Sequence, residues 1–274
     1  MIRIGLLAAL LCFGMAAPSL AQSGQPSTAE LPQNVPRIKG HFTFMVAGGL
    51  DLDVFGDVVT IGLSCDPEPD METSCNQQTS LIQVSDLLHY PDVYRSVQKR
   101  WQASAGFGIF NKDELIVQVT RSRAPAEASI GLGRFQSAEG DRTIRASFGT
   151  YEDQTIEGGL RHYFRTVGRS KSYANLLYGR RKVEAISAVL TADGLDGNFG
   201  LVRFYDTATV NTAAVVFGIT VERGPVGIFV EAGFRWTAKL KQIDDDLAVL
   251  GVSMINDTGS RIFMPASAGL VLRF

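Results

Sequence analysis

The stretch VGIFVEAGFRW, residues Val226 to Trp236, decides the fold. Val226, Ile228, Val230, Ala232, Phe234 and Trp236 alternate with Gly227, Phe229, Glu231, Gly233 and Arg235, so both charges fall on one side. Successive side chains of a strand point to opposite faces, and an extended chain sorts this sequence into an apolar and a polar face. Two environments suit such a strand. In a layered sheet the polar face meets water; in a closed membrane barrel the apolar face meets hydrocarbon and the polar face lines an interior. Period two alone does not separate them.

The pattern continues on both sides. Downstream, Ile262, Met264, Ala266, Ala268, Leu270, Leu272 and Phe274 share one face, while Arg261, Ser267, Gly269 and Arg273 share the other. Upstream, Trp101 to Ile109 opposes its odd-numbered apolar residues to Gln102, Ser104, Gly106 and Gly108, and Leu115, Val117 and Val119 oppose Gln118 and Thr120. Ile144, Ala146 and Phe148 oppose Arg145, Ser147 and Gly149, and Ile156, Leu160 and Phe164 oppose Glu157, Gly159 and Arg161. Fainter alternation runs through Phe42 to Val46, Ala174 to Tyr178, Val183 to Val189 and Val215 to Val221. These segments have about the ten-residue length of a tilted membrane-crossing strand. Turn-forming or charged triplets at 111–113, 152–154, 179–181 and 222–224 alternate with longer connections at 50–100, 125–141, 166–171, 192–208 and 238–260.

The expected fold is therefore all-β, an antiparallel transmembrane up-and-down β-barrel of about ten strands over residues 39–274, with eight or twelve strands also compatible. Its longest external loop is 50–100. Val54 to Leu63 reads as either another strand or an extension beyond the membrane, and Val84 to Trp101 has helical spacing broken by Pro91, as in a folded loop with a short helix. Trp101, Tyr151, Tyr163, Tyr173, Tyr178 and Trp236 fall near strand ends, where amphipathic rings favour the membrane interface.

Ahead of the barrel, Arg3, the apolar run Ile4 to Ala17 and Ser19-Leu20-Ala21 predict a signal peptide over 1–21, cleaved before Gln22. Residues 22–38 contain Pro26, Pro32 and Pro36 among small polar residues and read as a flexible tail. Loss of Arg3 takes the formal charge of -2 to -3, which disfavours a nucleic-acid partner. In an exported chain Cys65 and Cys75 are expected to form a disulfide; two cysteines without a nearby histidine make a poor zinc set.

A C-terminal Phe274 preceded at every second position by Leu272, Leu270, Ala268 and Ala266 resembles the terminal signal of Gram-negative outer-membrane barrels. The resemblance implies an outer-membrane location and reading by the barrel assembly machinery. It also implies periplasmic chaperones, outer-membrane lipid and lipopolysaccharide as partners. A ten-stranded barrel is similar to the omptin proteases, with Asp51, Asp53 and Asp206 near the mouth, but the 192–208 loop lacks a histidine. Lipid A deacylases are matched no better, because no His-x-Ser triplet occurs.

The inward row Arg145, Glu157, Arg161, Glu231, Arg235 and Arg273 carries two readings. Opposite charges inside a narrow barrel form a salt-bridged plug, or they line a small polar channel favouring anions. Inward glycines leave space for a channel or permit tight coiling. The acidic runs 66–72 and 244–246 match no defined calcium loop, so neither metal nor cofactor is expected. The functional expectation is a non-enzymatic barrel with an envelope-structural or small-solute role; the alternatives are surface adhesion through the external loops and a mouth-located hydrolase.

Overall fold

The computed structural model describes residues 37–59, 82–84, 88–94, 97–126, 129–137, 140–194, 200–240 and 260–274. The predicted leader, nearly all of the predicted tail, Cys65, Cys75 and the acidic runs 66–72 and 244–246 lie outside the described residues.

Eight strands close into an antiparallel barrel: β1 (Phe42–Phe55), β5 (Val97–Gly108), β6 (Asp113–Ala124), β9 (Tyr151–Val167), β10 (Ser170–Val183), β13 (Ala208–Arg223), β14 (Val226–Thr237) and β15 (Arg261–Arg273). The first and last strands pair, and the backbones of Phe42 and Phe274 exchange hydrogen bonds of 3.0 and 2.9 Å. Closure leaves the barrel without an edge strand. The strands run 12 to 17 residues, longer than the roughly 9–11 that cross hydrocarbon.

Burial alternates along each strand, and the apolar residues are the exposed ones. Ile228, Val230, Phe234, Phe217, Leu176 and Leu270 face outward, whereas Glu157, Arg161 and Arg235 are buried inside. This inversion of the soluble pattern is the transmembrane β-barrel architecture.

Three connections are short. Gly168 and Gly224 have φ of 59° and 66° and sit in two-residue turns, where left-handed backbone is required. With the 109–112 turn they lie at the same end as Phe42 and Arg273, the turn end. The long connections gather at the other end, the mouth. There β3 (Ile82–Val84), β7 (Ile130–Ser137), β8 (Gly140–Phe148), β11 (Ile186–Ala192) and β12 (Gly200–Tyr205) form a five-stranded sheet in the order β12-β11-β8-β7-β3. A small pair, β2 (Asp57–Val59) with β4 (Leu88–His89), and one helical turn, Tyr90–Val93, complete it.

Two of the ten expected crossings are therefore not in the wall. The segments at 144–149 and 183–189 supply β8 and β11, whose Ile144, Ala146, Phe148, Ala188 and Leu190 pack into a core above the barrel. An apolar face turned to such a core and one turned to lipid are written with the same alternation. The turns expected at 152–154 and 179–181 are strand interior in β9 and β10, and the tight turn lies instead inside 166–171. Tyr151, Tyr163 and Tyr173 are buried, not interfacial; Trp101, Tyr178 and Trp236 face outward. Ile38, assigned to the tail, is buried beside Met45, Phe229 and Val271 at the turn end.

Several inward glycines serve coiling. A Cβ on Gly159 would lie 1.9 Å from the Leu176 carbonyl oxygen of the neighbouring strand, whereas one on the outward Gly48 would meet nothing within 4 Å. Gly159→Ala is expected to destabilise the barrel by about 1–3 kcal/mol, and Gly48→Ala to leave it nearly unchanged. Urea midpoints in micelles, with the mobility shift on heating as the folding readout, check the pair.

Candidate functional site

The site is the barrel interior, which is built from inward positions of all eight strands. At the turn end, Ile38, Met45, Tyr163, Tyr173, Phe229 and Val271 form an apolar floor. Beside it, nearer the strand ends than Met45, Tyr173 and Val271, Arg273 pairs with Glu222 at 2.8 Å and reaches Thr43 at 3.1 Å and the Tyr163 hydroxyl at 2.5 Å; Lys171 also holds Glu222, at 2.5 Å. Tyr163 donates to Glu114 at 3.1 Å, and Arg161 joins Glu114 at 3.0 Å and Asn175 at 2.8 Å.

The middle is a linked network. Glu231 accepts from Tyr173 (3.0 Å), Ser267 (3.1 Å) and Gln102 (2.5 Å), and Gln102 accepts from Arg100 at 2.7 Å. Arg100 also meets Asp51 at 3.4 Å, which accepts from Ser122 at 2.6 Å, while Arg235 pairs with Glu157 at 2.6 Å. Toward the mouth Arg181 holds Asp153 at 2.5 Å, and Arg261 holds Asp53, which also accepts from Gln98 at 2.7 Å. Arginine planes stack on rings here. Arg181 lies 4.5 Å from the Phe263 centroid, and Arg261 lies 4.3 Å from Tyr90 and 4.9 Å from Tyr151.

Among the described residues the interior holds seven cations and seven carboxylates, so it is formally neutral. Neutrality is what burial demands, because an unpartnered ion removed from water costs several kcal/mol. The space above small residues is filled by large neighbours: a Cβ on Gly106 would lie 2.5 Å from the Glu114 carboxylate, and one on Gly218 would lie 2.3 Å from the Tyr173 ring.

The mouth is covered. Ala124, Tyr151 and Val183, inward at the mouth ends of β6, β9 and β10, share one core with Tyr90, Val93 and Tyr94 of the helical turn region and with the apolar face of the five-stranded sheet. Tyr205 fastens this cover by donating to the Val58 carbonyl at 2.6 Å. Burial pushes the Tyr94 phenol well above its ordinary value, with Tyr90 and Tyr151 adding to the effect. Burial raises Tyr90 as well, opposed by the Arg261 charge. On the exposed rim the Lys182 hydrogen bond lowers Glu184.

The structure places Glu157, Arg161, Glu231, Arg235 and Arg273 in the interior. Arg145 is corrected: it stands on the exposed face of β8, 44% exposed, and pairs with Asp193 at 2.8 Å. Its parity within its segment is that of an inward residue, but the segment belongs to the sheet above the barrel. Sequence reading missed Arg100, Glu114, Asp153, Arg181 and Glu222 as network members; each continues the polar register of its strand, and the last three were hidden in expected turns, while Arg261 stands on the polar face expected for its strand. The hydrolase residues do not assemble. Asp51 and Asp53 are consumed by buried ion pairs, and Asp206 pairs with Arg203 on the surface at 2.9 Å. Ala266, Ala268, Leu270 and Leu272 lie on the outer face of β15, and Phe274 follows its last residue, exposed. Among the described residues no group of three or more His, Cys, Asp or Glu side chains is placed to hold a metal ion.

Breaking one pair by Arg235→Met is expected to cost about 3–5 kcal/mol, because Glu157 is left buried and unpaired, whereas Arg235→Met with Glu157→Gln recovers much of the loss. Urea unfolding of the two variants in micelles checks the coupling.

No protein-family model matches the chain, and no curated protein matches it. Solved structures are similar in fold. Neisserial surface protein A aligns at TM-score 0.41 and 14% identity over 86% of this chain and 98% of its own. The outer membrane protein OprG from Pseudomonas aeruginosa aligns at 0.44 and 8% over 87% and 98%. The outer membrane protease OmpT from Escherichia coli aligns at 0.33 and 12% over 90% and 100%. Likenesses this low assign neither a family nor an activity.

Proposed function

We propose that this chain is an outer-membrane barrel whose interior is a sealed plug, and that its role is to contribute to envelope structure. One observation carries the reading: the interior is filled by a charge-neutral network of buried ion pairs. The outer membrane is the bilayer that houses such closed barrels, and the turn end with both barrel termini then faces the periplasm. Eight strands enclose a lumen just wide enough for side chains to fill. A small-anion channel needs exposed, unpaired guanidinium groups along a path; here the arginines are committed to carboxylates or rings.

The folded sheet at the mouth favours a second reading, recognition of a partner at the cell surface. It packs into a hydrophobic core shared with the mouth ends of β6, β9 and β10, more order than a mere connection requires.

In a planar bilayer the purified chain is expected to give no steps, or steps far below those of an open porin. Large, stable conductance would refute the plug. Replacing 127–149 by a short turn is expected to keep the heat-modifiable barrel while abolishing any surface binding the intact chain displays; retained binding would refute the recognition reading.

A further inference from the structure

We propose that the outward cations at the mouth end of β5, β6 and β10 form a seat for the phosphate-bearing headgroup of an outer-leaflet lipid; this rests on the membrane reading above. The barrel register assembles them into cross-strand rows. Lys99 faces Arg123, which faces Glu152; in the next row Trp101 faces Arg121, which faces Gln154, which faces Lys182. Arg180 follows beside Ile156, one row nearer the hydrocarbon belt. Directly cross-strand side chains stand about 5 Å apart, so these rows form one continuous surface.

The charge does not cancel. Glu152 bridges Arg121 and Arg123 at 3.1 Å each, and Glu184 takes Lys182 at 2.8 Å. Among the described residues no carboxylate pairs with Lys99 or Arg180. Arg121, Arg123 and Lys182 keep 57%, 68% and 52% of their side chains exposed. Five cations against two carboxylates leave a local excess, with two guanidinium forks oriented by one glutamate, a geometry suited to phosphate oxygens.

Position identifies the ligand as an amphiphile. Below the charged rows β6, β9 and β10 turn outward Val117, Val119, Ile156, Leu176 and Tyr178, so whatever sits on the cations also borders an apolar wall. On β1, β14 and β15 the outward positions Leu50, Leu52, Trp236 and Ile262 at the mouth ends of the strands carry no cation, and Leu50 directly beside Lys99 marks the edge of the patch. The patch is one-sided, which fits an individual headgroup docked on one wall and not a uniform ring of surface charge.

The test uses the full chain in a non-ionic detergent, titrated with a diphosphorylated glycolipid, the same glycolipid without phosphates, and inorganic phosphate, followed by tryptophan fluorescence and native mass spectrometry. Saturable, salt-sensitive binding of the phosphorylated lipid alone is expected. Lys99→Gln with Arg180→Gln should weaken it at least about tenfold, given the contribution of each cation near an anionic surface. Arg165→Gln with Arg169→Gln, at the turn end, should leave it within about twofold. Each variant is checked for its heat-dependent mobility shift, and Arg180→Gln alone replaces the first pair if that pair does not fold. Equal binding of the dephosphorylated lipid, equally tight binding of inorganic phosphate, or equal effects of the two pairs would overturn the seat. Recovery of the chain as a detergent-free soluble monomer would instead overturn the membrane reading beneath it.

Discussion

The narrowness of an eight-stranded cylinder governs this molecule. A strand that offers hydrocarbon an apolar residue at every second position must send the residues between them inward, and eight strands give those residues no water to dissolve in. Each inward side chain therefore becomes its neighbours' solvent. Paired charge is one solution, and arginine dominates it: six of the seven interior cations are arginines. A guanidinium presents a planar fork that holds a carboxylate while its carbon lies over a ring, as Arg261 does with Asp53, Tyr90 and Tyr151. Lysine appears only at the turn end, as Lys171, where its flexible stem reaches the less enclosed Glu222.

The sequence was legible where a strand sits between two uniform environments. Val226 to Trp236, Trp101 to Phe107 and Ile262 to Leu272 carry an apolar residue at every second, outward position, while inward polar residues are interrupted by Phe229, Phe263, Pro265 and Val271 without obscuring the period. It misled where the environments changed without changing the pattern. Ile144, Ala146 and Phe148 alternate like lipid-facing residues but pack on Tyr94 and Phe204, and the polar partners between them meet water. That difference moved Arg145 from the interior to the surface. Charge density misled in another way. Gly179-Arg180-Arg181 reads as a turn, yet Arg181 turns inward to Asp153 while Arg180 turns outward, so the pair is an extended strand seen from both sides.

Stability and shape are linked through the same interior. Replacing buried ion pairs by apolar residues of equal volume is often neutral or stabilising, so the charges are not needed merely to hold the barrel shut. What they impose is register. Each pair joins particular positions on different strands, such as Arg235 on β14 with Glu157 on β9, and a slip of one residue would turn those ions toward lipid. The inward glycines add to this constraint, since the coiled backbone passes where a Cβ would stand at Gly159, Gly179 and Gly269.

The two ends of the lumen are closed by unlike chemistry. At the turn end the apolar cluster of Ile38, Met45, Phe229 and Val271 stands beside the paired Arg273, Glu222 and Lys171, whereas at the mouth an apolar core beneath the sheet covers the uppermost charges. A change in ionic strength acts on paired charges only if ions and water reach them, and at the mouth an apolar core stands in the way. On the plug reading, opening a path through the mouth requires the cover to yield. Arg261 ties the cover to the network, stacking on Tyr90 while holding Asp53, so displacing the cover also uncovers the uppermost ion pair. On the proposed plug reading, cover and network are therefore coupled through Arg261, and loosening one exposes the other.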